Sequence, residues 1–394
     1  MLTLDQARAI WAARQFPGTA LEELPGGWSR SLGGVDPYLA LFARTGCSRA
    51  DIDAALGRGA LRISPAVRGC IWLIPQQDLG LALAVSEAQS RRPLLRDLAK
   101  LGCSLEQVQG LAEATSSVLH AKGACSMSAL RRELSGAVTS FGEAGKKLGV
   151  SSDLPGALRL LEWEGRARRQ PVGQVLDTQS YLWRPCSMTL DGPQDPIEQA
   201  KELLLRYLRW AAPASPQEFC GWSSLGKGVA AKAAKALGVV EVEVQGLGAC
   251  WDWEAPKVSG PEATMLLPAQ DNLQSLRGRP GSLVHPDFHD VEVHTMGSRT
   301  ATIGASKWIF QRLLVRHGEI VGLWAWDGSA QKVVAAGFRG LPEDAAEAIT
   351  RTEEFIRKQL AGQARAVSID SDRAQQKRVK LVEKVAYRTP ALRG

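Results

Sequence analysis

The stretch "DPYLALFARTGCSRADIDAALGRGALRISPAVRGCIWLIP", residues 36–75, decides how the first part of the chain folds. It reads as a short helix, a second helix and a hairpin. Asp36 sits at the capping position of the first helix and Pro37 at its first helical position. Ser48 caps "SRADIDAALGRG", which ends at glycine. "LRISPAVRGCIWLIP" alternates and is β-branched, as a two-stranded hairpin is. Toward the N-terminus, "LTLDQARAIWAARQF" is an amphipathic helix and "LPGGWSRSLGG" a turn-rich loop. Three short helices followed by a hairpin make the winged-helix pattern.

The pattern recurs downstream. "SLEQVQGLAEATSSVLHAKGACSMSALRREL" gives a long helix, a turn capped by Ser126 and another helix. A third helix follows from about Leu154, then a hairpin with basic residues at its base. A third copy begins near Asp195 with "DPIEQAKELLLRYLRW", continues through "SPQEFCGWSSLG", and ends in a helix running into "VVEVEVQGLGACWDWE". From Thr264 short alternating strands separated by glycine turns predict a small antiparallel β-barrel, with "ARAVSIDSD" as a last strand. "LPEDAAEAITRTEEFIRKQLAG" is a helix with acidic residues early and basic ones late. The expected fold class is α+β: tandem winged-helix units, then the barrel and a C-terminal helix. The expected domains are 1–102, 103–188, 195–260, 261–340 and 341–394.

Composition narrows the function classes. The 394 residues are 45% hydrophobic and 23% charged, an ordinary globular balance. No apolar run approaches the ~20 residues that span a bilayer, and the N-terminal pattern is not that of a signal peptide. The 7 cysteines are scattered, with no C-x-x-C pair, which argues against zinc and against a disulfide framework. A cytoplasmic, nucleoid-associated monomer without metal or cofactor is the expectation. The net charge is +7, but Arg373–Gly394 holds seven Lys/Arg against one Glu, so the body is nearly neutral. Any polyanion must then be met by local patches. The tail, with Lys377, Arg378 and Lys380, is either a phosphate-contacting arm or a solvated, mobile end. "HPDFHDVEVH", residues 285–294, gathers three histidines, but their spacing fits no familiar ligand set and favours a loop of satisfied side chains.

Several anchors give the chain a resemblance to a known family. They are Leu32-Gly33-Gly34-Val35 before a short helix, Arg68-Gly69 ahead of Pro75, and Arg206-Tyr207-Leu208 followed by Pro213, Phe219 and Trp222. Leu266-Leu267-Pro268 with Asp271 and the Gly318–Trp324 hairpin complete the set. Together they resemble the AlkZ/YcaQ-like winged-helix DNA glycosylases, which remove bulky alkylated bases and unhook interstrand crosslinks. The resemblance implies double-stranded DNA as partner. That family carries Gln-x-Gln, or Gln-x-Asp, after the Gly-Gly-Val; here Asp36 and Tyr38 stand there, and Cys70 and Trp72 replace a Thr and a His.

Asp36 therefore has two readings. As a catalytic carboxylate, assisted by Tyr38, it stabilises the positive charge that N-glycosidic cleavage builds on the sugar. As a cap, it accepts the free amides of Tyr38 or Leu39. The corresponding functions are a monofunctional glycosylase for bulky or cationic alkyl purines, or a catalytically silent DNA-binding sensor or regulator. Candidate DNA contacts are Arg166, Arg168 and Arg169 where a helix meets its wing, with Arg68, Arg277, Lys377, Arg378 and Lys380.

Overall fold

The computed structural model describes residues 1–16, 18, 20–255, 263–295 and 299–388. The expected boundary at 260 and the last six residues of the basic tail lie outside them. Helices and antiparallel sheets alternate along the chain.

In the opening stretch, helices Asp36–Thr45 and Arg49–Gly57 lead into strands Leu61–Pro65 and Ile71–Pro75. The two strands pair from Leu61 opposite Pro75 to Pro65 opposite Ile71, and Ser29–Arg30 adds a short strand beside the second. Ser48 and Asp51 exchange side-chain and backbone hydrogen bonds in a capping box, which fixes where the second helix starts. The long helix Leu79–Lys100 then packs on Leu61–Pro65, on helix Leu154–Trp163 and on helix Pro196–Ala211. It ties the three helix–hairpin units into one continuous core.

The second hairpin pairs Ala167–Pro171 with Tyr181–Pro185, and the third pairs Val240–Val244 with Gly248–Asp252. Helix Leu4–Gln15 departs from the expected first unit and joins the third. Its Trp11 donates to Pro213 O at 2.9 Å, and Arg14 holds Asp252 at 2.8 Å. An apolar helical stripe packs wherever it is covered, and the long connection to Ser29 leaves this helix free to do so.

The expected barrel is an open sheet among the described residues. Its strands run Lys332–Gly337, Glu319–Asp327, Arg312–Arg316, Met265–Leu267, with Glu292–His294 and Thr300–Thr302 as a separate hairpin. The edge strand is short because Asp271 accepts the Leu273 amide at 2.8 Å and starts a one-turn helix, Asn272–Ser275. Helices Ala345–Gln359 and Asp372–Arg388 pack against the same sheet. Alternation along Glu319–Asp327 sends Trp324 and Trp326 into the large core, and Leu323 and Ala325 into a second one.

Two further expectations change here. Residues 364–370 pair with no strand; they form a strap of bends and a turn, closed by the Asp370 amide donating to Val367 O at 3.0 Å. The basic tail, as far as residue 388, is a helix whose Val379, Val382 and Val385 enter the second core. No helix among the described residues is long and apolar enough to cross a membrane.

Candidate active site

Asp36 is not the helix cap. Val35 occupies that position and offers no side chain to it, so Asp36 is the first helical residue and Pro37 the second. The carboxylate turns instead toward the C-terminal sheet. Its Oδ2 accepts the Gln270 amide at 2.9 Å, and Oδ1 lies 3.6 Å from Arg312 Nη2. Arg312 also donates to Ala364 O and stacks 4.9 Å over Trp324. Behind it, Arg378 grips Asp370 through contacts of 2.7 and 2.5 Å. Two acids and two bases from four segments thus share one buried cluster.

Burial decides the electrostatics of Asp36. The residue is 2% exposed, and desolvation pushes its carboxyl up to about 6 despite Arg312 and the Gln270 amide, which favour the charged form. Asp36 Oδ1, Arg312 Nε and Gln270 Nε2 are buried without a hydrogen-bond partner among the described residues. Such orphaned atoms are uncommon in a folded interior and mark a place where something else is bound or where the structure is poised to change.

The strap closes the site. Val35 donates to Arg365 O at 2.8 Å and Ser368 to Leu32 O at 2.9 Å. Gly34 leaves room for it, because a Cβ there would run into the Ala366 backbone.

Tyr38 lies elsewhere. Residues two apart on a helix do not face each other, and the Tyr38 hydroxyl donates to Asp53 at 2.5 Å while accepting the Leu176 amide at 2.8 Å. Burial and Asp53 hold this phenol far above its ordinary range. Arg49 covers its ring at 4.8 Å and binds Asp177 at 2.9 Å. Tyr38 therefore ties the helix to the second unit and does not share a site with Asp36.

The expected DNA contacts divide by burial. The Arg169 side chain is 8% exposed; it binds Glu162 at 2.7 and 2.6 Å and stacks on Tyr181 and Trp183. Arg277 is 2% exposed and donates to Pro213 O and Ala211 O, over the Trp11 ring. Arg378 is bound to Asp370. These three are structural in this conformation and not open to a phosphate, because charged groups this deep persist only when paired. Arg166 is half-exposed but held by Glu113 at 2.5 and 2.6 Å. Arg68, Lys377 and Lys380 are exposed and Arg168 is half-buried.

The histidines of residues 285–294 each have a polar neighbour, although His294 Nδ1 is buried without a hydrogen-bond partner among the described residues. His289 Nε2 lies 3.1 Å from Gly281 O, His294 Nε2 3.3 Å from Lys377 O, and His285 3.2 Å from Asp287. A cleft of about 800 Å³ beside Arg14, Arg209, Trp210 and Trp253 shares no lining with the Asp36 loop.

Sequence reasoning missed Gln270, Arg312 and Asp370. Nothing local marks them, since the Gln270–Asp36 bond alone spans 234 residues.

Comparison with known proteins matches this architecture. The family model described as DNA glycosylase AlkZ-like fits residues 35–365, from the residue before Asp36 into the start of the strap. The solved structure of the Streptomyces sahachiroi DNA glycosylase AlkZ is similar in fold, with TM-score 0.66 at 18% identity over 90% of this chain and 97% of that one. No curated protein sequence matches the chain.

Proposed function

The chain belongs to the AlkZ-like DNA glycosylase family, which makes it a DNA-repair glycosylase, and on that premise we propose that it excises bulky or cationic alkylated purines from double-stranded DNA. Asp36 is the carboxylate we assign to the reaction. The observation that carries the assignment is its buried Oδ1, which has Arg312 beside it and no hydrogen-bond donor of its own.

Breaking the C1′–N bond sends its electron pair onto the purine, which neutralises the alkylated ring and leaves positive charge on the deoxyribose. Asp36, ionised above about pH 6, faces that charge and orients a water. The water oxygen closes on C1′ as its proton passes to the carboxylate. General-base help of this kind is worth about 10²–10⁴ in rate, enough where the leaving group is already cationic. The same cleavage at a crosslinked base unhooks one strand. The proposed chemistry draws on protein groups and water alone.

Asp36 acts only once the strap lifts, because the residue is 2% exposed and residues 364–370 are bonded to the loop that carries it. Tyr38 takes a positioning part, fixing the helix that carries Asp36. We read the three helix–hairpin units as winged helices that engage DNA as a monomer on the nucleoid. The exposed Arg68, Lys377 and Lys380, with Arg166 and Arg168, are left to meet phosphate.

Single-turnover release from a duplex carrying an N7-alkylguanine tests this reading. The native protein is expected to release the base, and Asp36→Asn to lose release by two orders of magnitude or more while keeping its affinity for the duplex. Equal release by both proteins would remove Asp36 from the chemistry. No release by either, on this or a crosslinked duplex, would leave a DNA binder.

A further inference from the structure

Three arginines meet at the seam between the first and second hairpins. Strand Leu61–Pro65 is an edge of the first sheet and strand Ala167–Pro171 an edge of the second, and the two edges lie side by side. Arg62 on the first strand and Arg168 on the second line the same small cavity, with Ser64, Glu162 and Cys186. Arg184 stands directly opposite Arg168 in the antiparallel register of the second hairpin, so the two side chains leave the sheet on one face. On the other face Arg169, opposite Trp183, is turned in to Glu162.

The carboxylates at hand do not balance these charges. Like charges directly opposite on adjacent strands destabilise a sheet, and none of the three arginines forms an ion pair among the described residues. The carboxylate that lines the cavity, Glu162, has both oxygens engaged by Arg169. Neutral amides steady two of the arginines instead. Arg62 Nε donates to Gln76 Oε1 and Arg184 Nε to Gln170 Oε1, each at 2.5 Å. The Nη groups of both guanidiniums have no partner among the described residues. Burial lowers Arg62 from the ordinary arginine range, and the like charge of Arg168 lowers it further. Half-buried arginines that repel one another and have donors to spare are held together when an anion bridges them. The planar guanidinium fork suits two oxygens of a phosphate.

We propose that Arg62, Arg168 and Arg184 seat the sugar–phosphate backbone of one DNA strand across the seam between the first and second units. The seat rests on the reading of the protein as a DNA enzyme and adds to it that the two hairpins bind as one surface. Arg62 belongs to one sheet and the Arg168–Arg184 pair to the other, so a strand held by all three sets both units at a fixed spacing. Contacts to phosphate position a protein on its duplex without reading sequence.

Fluorescence anisotropy with a short undamaged duplex, titrated at several KCl concentrations, reads the seat independently of base release. Arg62→Gln, Arg168→Gln and Arg184→Gln are each expected to weaken binding about tenfold and to lower the slope of log K against log salt by about one. Arg168→Lys, which keeps the charge, should keep the native slope. Arg357→Gln, on helix Ala345–Gln359 against the C-terminal sheet, should bind as the native protein does. Thermal melting without DNA separates binding from folding. Arg168→Gln and Arg184→Gln each relieve a like-charge pair, so both are expected to melt at or above the native temperature. Weak binding accompanied by a lower melting temperature in all three variants would assign the arginines to the fold and overturn the seat. Native affinity and slope in all three would overturn the seat and leave the glycosylase reading intact. Weakening by Arg168→Gln and Arg184→Gln but not by Arg62→Gln would confine the contact to the second unit and overturn the shared seat. A native protein that binds no duplex would overturn both the seat and the DNA reading.

Discussion

Asp36 illustrates how little of a residue's chemistry is local. Asp-Pro at a helix start has the composition of a cap, yet the side chain here points away from its own helix to Gln270 and Arg312. The consequence is measurable. Its carboxyl rises from 3.8 to about 6 on folding, so the folded state binds the proton more tightly than the unfolded chain. The stability this supplies is full below 3.8 and is lost as the pH rises through about 6. Relative to Asp36→Asn, the native protein is expected to lose roughly 1.4 kcal/mol per pH unit across that window and nothing further above it. Urea unfolding of both proteins from pH 4 to 8 reads the difference; parallel curves would mean that Asp36 is not desolvated. The arginines carry the same lesson. Arg169, Arg277 and Arg378 are as basic in sequence as Arg68, and only their burial against Glu162, backbone carbonyls and Asp370 sets them apart.

Among the elements, the capped helices were legible because their interactions close within a few residues. The boxes at Ser48–Asp51, Ser104–Gln107 and Ser215–Glu218 need no tertiary partner. The strap was not legible. "ARAVSIDSD" alternates like a strand, but the edge it meets is the Leu32–Val35 loop, and two backbone bonds do not build a ladder. Gly34→Ala sets a methyl group against the Ala366 backbone. Overpacking of this sort costs about 1–3 kcal/mol. The variant is expected to unfold at lower temperature and to show faster hydrogen exchange confined first to residues 364–370. Unchanged protection of that segment would mean the strap yields without strain and is a weaker barrier than the contacts suggest.

For the whole molecule, the C-terminal helix decides whether the sheet is finished. Its charge suggested an arm; its Val379, Val382 and Val385 close the second core, and Arg378 completes the Asp370 pair. Each buried apolar side chain is worth about 1.5–3 kcal/mol, against a total stability of only about 5–15 kcal/mol. Truncation after Ser371 is therefore expected to abolish cooperative thermal unfolding by circular dichroism and to expose dye-binding apolar surface. A truncated protein that melts sharply near the native temperature would return the helix to the status of an appended arm.

By itself the sequence determined the helix–hairpin succession, the caps at Ser48, Ser126 and Ser215, and the family, because periodicity and turn chemistry act over a few residues at a time. It also singled out Asp36 as a candidate, with a cap as the other reading. Only the tertiary structure decided that the first helix serves the third unit, that the sheet is open among the described residues, and that Asp36 lies under a strap beside Arg312. These depend on which surfaces dock across hundreds of residues. Burial and charge pairing are properties of the docked surfaces, and no local pattern encodes them.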